Sequence, residues 1–174
     1  MEIILILLII LQSVSIALGV GSSTIAIANF FVAIADGSIS TEERRIMQVV
    51  YVTIRVGMAL ILISTLFIAF ISISSNGFSD YFTSFKLAVW SLIFMLFINA
   101  LAMTKHWVSS TFGPAIQAAS WYTLSVITAL LPLNLHNFTY SQFLLGYAAA
   151  MTLSVSVVNL LIMYLNERRE VRAE

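Results

Sequence analysis

From Ile3 to Ala35 the chain carries no Asp, Glu, Lys, Arg or His. An apolar run of about 18 residues or more matches the hydrocarbon thickness of a bilayer and exceeds what a soluble core helix needs. The run stops at Asp36-Gly37-Ser38-Ile39-Ser40, and a second apolar stretch continues to Ser75. The connection also holds Glu42-Glu43-Arg44-Arg45, the densest charge outside the C-terminal tail. Two matched apolar segments joined by a short polar turn predict an antiparallel helical hairpin set in a membrane.

The rest of the chain follows suit. Of its 174 residues, 60% are hydrophobic and 9% charged, against about 25% charged in a soluble domain. That deficit predicts a single transmembrane helical domain over residues 1–174, with no room for a separate catalytic domain. Acidic and basic residues cancel to a net charge of zero, so nucleic acid is not an expected partner. Cysteine is absent, which removes disulfides, thiolate catalysis and cysteine-based metal sites. Glu2 is the only early charge, so the positive n-region of a signal peptide is missing and the first helix is expected to be retained.

The predicted fold class is all-α, an integral membrane bundle of five transmembrane helices at about 2–35, 41–74, 82–104, 114–131 and 140–165, with a solvated cytoplasmic tail at 166–174. Ser40-Thr41-Glu42-Glu43 reads as a capping box that opens the second helix. Pro114 is placed to open the fourth helix and Pro132 to stop it. Arg44 and Arg45 follow the first helix, Lys105 the third, and Arg168, Arg169 and Arg172 the fifth, while the other loops are poor in Lys and Arg. By the positive-inside rule the N-terminus lies outside and the C-terminus in the cytoplasm. The expected location is the cell (plasma) membrane, multi-pass, with the lipid bilayer as first partner. Trp90, Trp107, Trp121, Tyr81 and Tyr140 fall at or near helix ends, as interfacial anchors do, with a deeper place open to Trp121.

The first helix, at about 50 Å, exceeds the ~30 Å hydrocarbon core, so it must tilt, kink or project. A kink is expected at Gly19-Val20-Gly21-Ser22-Ser23. Ser15, Gly19 and Ser23, with Gly21 beside them, form a small face for close helix packing. The same stretch, if unwound, would offer free backbone groups to an ion. Asp36-Gly37-x-Ile39-x-x-x-Glu43 mimics half of a calcium loop, but Val32 and Ile34 stand where carboxylates should be.

Every Asp and Glu is terminal or in a loop, which disfavours a proton relay or sodium-coupled carrier. One cation, Arg55, falls inside a span without an acid at its depth. Burying it alone would cost about 2.5–3.5 kcal/mol on insertion scales. Either it snorkels to the headgroups, or it lines a polar pocket open to the cytoplasm with Asn29, Asn99, Gln117 and Asn159 near the same helix ends. Such a pocket would take an anionic small molecule or a lipid headgroup. His106 and His136 flank opposite ends of the fourth helix and cannot share one haem. Asn137-Phe138-Thr139 fits a glycosylation sequon. No catalytic triad, P-loop, zinc motif or dinucleotide fingerprint is present, and no cofactor is expected.

With Gly19 and Gly21 in the first helix, Arg55 in the second and Phe85-Lys86-Leu87 opening the third, the layout resembles the copper-resistance D and protoporphyrinogen-oxidase-like membrane proteins. The resemblance implies a small helical membrane bundle. Gln12 and Asn99 stand about where haem histidines of that group would fall, so no functional residue carries over. Two functions are expected. One is a carrier, channel or lipid-handling protein with its pocket around Arg55. The other is a structural or assembly subunit, as a homo-oligomer or with a membrane-protein partner, that packs through the small face of the first helix and Phe67-Ile68-Ala69-Phe70.

Overall fold

A computed structural model describes residues 2–36, 40–109 and 112–173. Gly37 and Ile39 of the calcium-like turn, and Ser110 and Thr111 of the later connection, lie outside the described residues. Among these there are five long helices and one single turn: α1 (Glu2–Asp36), α2 (Thr41–Asn76), α3 (Phe78–Tyr81), α4 (Ser84–Thr104), α5 (Phe112–Ala129) and α6 (Tyr140–Ala173). Four of them, α1, α2, α4 and α6, are long and apolar enough to cross a membrane. α5 is not, although its 18 residues would extend about 27 Å at the usual helical rise.

The helix ends have local causes. Ser40 and Glu43 make the capping box at α2: Glu43 N–H donates to Ser40 Oγ at 3.2 Å, and Ser40 N–H to the Glu43 carboxylate at 2.7 Å. Gly77, at φ 87°, turns the chain from α2 into α3. The third predicted helix therefore starts later than residue 82, at Ser84, where the Thr83 hydroxyl accepts from Lys86 N–H. α4 ends in a paired turn: His106 N–H reaches Met103 O at 3.1 Å and Trp107 N–H reaches Ala102 O at 2.9 Å. This arrangement puts His106 at φ 57°, a conformation usually left to glycine. Asn134, at φ 54°, ends the turns after α5 in the same way.

Pro132 follows a helix that ends two residues sooner than the expected Leu131. Its missing N–H ends the regular helix at Ala129, and the turn closes two residues beyond the proline. α5 also begins two residues earlier than Pro114, which is accommodated in the first turn. At the other end of the chain, α6 runs through the expected tail to Ala173. That segment, rich in Glu and Arg, has helix formers and no Gly or Pro to break it.

Neighbouring helices run antiparallel, as their cross-links show. Gln12 in α1 donates to Thr65 in α2 at 3.1 Å, and Gly57 of α2 lies against the backbone of Ser15 and Gly19. Asn99 in α4 meets Gln117 in α5 at 2.9 Å. Tyr147 in α6 meets Ser120 in α5 at 2.7 Å, and Ser154 donates to Ala115 O at 3.0 Å. Pairings ascend one helix while descending its partner.

α5 is the axis of the bundle. Trp121 and Leu124 are wholly buried on it, and α1, α4 and α6 pack around it. Trp121 is thus no interfacial anchor. Its indole fills the space above Gly19, where any Cβ would fall inside the ring. α1 passes this point as one continuous helix, so the Gly19–Ser23 segment is neither broken nor unwound. The small face is spent inside the chain, with Ser15 and Ser23 buried against α2 and α5. Gly21 takes no part in it: two residues on from Gly19 is about 200° around the helix, and a Cβ there would meet nothing.

Polarity is inverted relative to a soluble protein. Ser15, Ser23, Ser64, Thr65, Asn99, Gln117 and Ser120 are buried, while Ile3, Phe70, Leu145 and Met163 are among the most exposed side chains. Three of the buried hydroxyls are satisfied by their own helix: Ser15 by Leu11 O at 2.6 Å, Ser64 by Leu60 O and Ser120 by Ile116 O, both at 2.8 Å. An apolar exterior over a hydrogen-bonded interior is what a lipid solvent selects.

Candidate functional site

A cavity of about 350 Å³ opens between α1, α2, α4 and α5. It lies at the end of the bundle where α1 and α4 finish and α2 and α5 begin. Tyr51, Thr104 and Pro114 stand nearest that end, with Arg55 about one turn further in. Met58, Gln117 and Ser23 form the deep wall, and Ile54, Ala26 and Met103 the apolar sides. No Asp or Glu is among the described lining residues.

Arg55 makes no hydrogen bond or ion pair among the described residues, and its side chain is exposed to the opening. Asn99, directly behind the cavity, is 3% exposed and Gln117 is 5% exposed. Asn99 Nδ2 donates to Gly113 O at 2.8 Å and to Gln117 Oε1 at 2.9 Å. Gly113 settles the orientation of both amides. Its carbonyl can only accept, so Asn99 must present its nitrogen there. The second hydrogen of that nitrogen then requires the oxygen of Gln117. The Gln117 NH₂ is left facing Met58 Sδ at 3.5 Å, a weak acceptor. Ser23 Oγ, on the facing helix, is buried without any partner.

Three of the five polar residues expected to share a pocket are therefore brought together: Arg55 and Gln117 line it and Asn99 supports it. The other two are not. Asn29 sits one turn beyond Ala26 towards Asp36, outside the lining, half-buried with its amide nitrogen unpaired. Asn159 is exposed on α6, one residue off the buried Val158 and so about 100° away from the face that packs. Sequence reasoning assigned the Ser23 side chain to packing and missed Tyr51, Met58 and Met103. Tyr51 and Met58 could have been found, because they lie four residues before and three after Arg55 on one helical face.

A larger cavity, of about 620 Å³, lies on the other side of α5 against α1 and α6. Ile27, Phe31, Val126, Phe143 and Leu153 make it almost wholly apolar, with no charged group to select a ligand. Gln12 and Asn99 are both engaged as helix–helix links.

The fold and cavity define a class: an all-helical bundle with four helices able to cross a membrane and one buried polar helix at its centre. Comparison with protein-family models, curated proteins and solved structures returns no match.

Proposed function

We propose that this chain is an integral membrane protein of the cell membrane that binds an anionic small molecule or lipid in the cavity around Arg55, as a small carrier or lipid-handling protein. One observation carries the reading: a guanidinium unpaired among the described residues, at a cavity walled by four helices, with amide and hydroxyl donors and no carboxylate among its described lining. Guanidinium groups favour phosphate and carboxylate because their fork of N–H donors matches the oxygens of both. The N-terminus is outside and the C-terminus inside, so the cavity opens to the cytoplasm, beside Arg44, Arg45 and Lys105. In this reading α5 is the fifth span. Its lower hydropathy reflects protein on most sides, where a polar side chain meets partners and not acyl chains.

The assembly reading loses its first contact surface, since Gly19 and Ser15 are already covered by Trp121 and Gly57. The exposed Phe67 and Phe70 need no protein partner in a lipid solvent.

Native mass spectrometry of the protein released gently from its own membrane tests the proposal. A bound species of defined mass is expected, and Arg55→Gln should lose it. Retention unaffected by Arg55→Gln, or a clean oligomer with no small molecule, would overturn it.

A further inference from the structure

The donors of the cavity lie at two depths, and this narrows the ligand. The inference rests on the anion-binding reading above and adds a second recognition point. Arg55 sits near the opening. Met58 is three residues further along α2, about 4.5 Å deeper, and its sulfur is where the Gln117 NH₂ points. On the facing wall the buried Ser23 hydroxyl has no partner. The Gln117 acceptor at this level is already used: Gln117 Oε1 accepts from Asn99 Nδ2, which also donates to Gly113 O. What the deep wall offers is therefore donors, in a site too dry to leave them unmet without cost. Between the two levels the walls are Ile54, Met58 and Met103, which accept apolar matter.

We infer that the ligand is an acyl phosphoglyceride, with its phosphate on Arg55 and the ester carbonyl of its acyl chain accepting from Gln117 Nε2 and Ser23 Oγ. A carbonyl is an acceptor only, and lies a few bonds from the phosphate in such lipids. A free phosphate or a fatty acid would satisfy one level and leave the other unpaired. Asn99 is a positioning residue, because without it the Gln117 amide can turn and present its oxygen to the carbonyl.

The test is a titration of the full-length protein in maltoside micelles, read by native mass spectrometry. The probes are 1-oleoyl-glycerol 3-phosphate, its 1-alkyl ether analogue without the carbonyl, and glycerol 3-phosphate. The ester should bind at least about tenfold tighter than the ether, since the carbonyl accepts two buried hydrogen bonds, and glycerol 3-phosphate weakest. Ser23→Ala and Gln117→Leu should each shrink the ester preference while leaving ether binding in place. Asn99→Leu should do the same if folded, and Ser23→Ala, which removes one oxygen, covers the case where it is not. Equal binding of ester and ether to the native protein would overturn the two-point ligand while leaving the Arg55 site standing. Glycerol 3-phosphate as tight as the ester would identify a soluble phosphate ligand and also overturn it. No binding of any phosphate probe, with Arg55→Gln indistinguishable from native, would instead sink the anion site itself.

Discussion

The two ends of the bundle each hold a cation on a helix able to cross a membrane, and they treat it in opposite ways. At the far end Lys86 donates to Ser72 Oγ at 3.2 Å, and its ammonium lies 4.2 Å from the centre of the Tyr81 ring. Tyr81, buried on the single turn α3, takes a hydrogen bond from Trp90 at 2.9 Å. That end is closed by its own side chains. At the connection end Arg55 has an opening beside it and nothing paired with it among the described residues. The contrast teaches how to separate a structural cation from a binding one. A charge that the fold needs is given its partners by the fold, while a charge left beside a cavity awaits a partner from outside.

The severest way to break the comparison is to remove the seam that holds both ends. Gly19→Leu should drive a side chain into Trp121 and cost about 3 kcal/mol or more, seen as loss of the monodisperse peak on gel filtration. Gly21→Leu, in open space, should stay within about 0.5 kcal/mol of the native protein. Arg55→Gln comes next: at least about a tenfold loss of ligand, with the thermal midpoint of the ligand-free protein unmoved because no internal contact is lost. Lys86→Met should show the converse, with ligand retention intact and stability lowered by about 0.6–1.7 kcal/mol, the range for polar links between membrane helices. A Lys86 variant that lost ligand would erase the distinction between the ends. Tyr81→Phe should cost less than Lys86→Met can, about 0.6 kcal/mol, since it removes only the acceptor of Trp90. Thermal unfolding in one detergent would rank the last two.

Much of this architecture is legible in the amino-acid sequence. The Ser40–Glu43 capping box, the hairpin of α1 and α2, and Arg55 as the cation without an acid all follow from local spacing and composition. The cavity is legible only in part. Arg55, Asn99 and Gln117 share a depth that the loop positions reveal, so their meeting could be expected. Asn29 and Asn159 share that depth too, yet rotation about the helix axis takes them elsewhere, and rotation depends on which neighbour each helix meets. Trp121 shows the same limit. An aromatic near a helix end reads as an interfacial anchor, whereas its burial depends on one glycine in a helix about a hundred residues earlier.

Apolar length and the placing of charge determined, by themselves, that five long helices are expected and roughly where the turns fall, and four of the five are long and apolar enough to cross a membrane. Those properties belong to single segments and to their transfer between water and hydrocarbon. Tertiary structure decided that the weakest candidate span is the central helix, that the glycine face is closed within the chain, and that the Gln117 amide turns its nitrogen to Met58. Each of these depends on helix rotation and on a hydrogen-bond chain through Asn99 to Gly113, and such partners come from elements far apart along the chain.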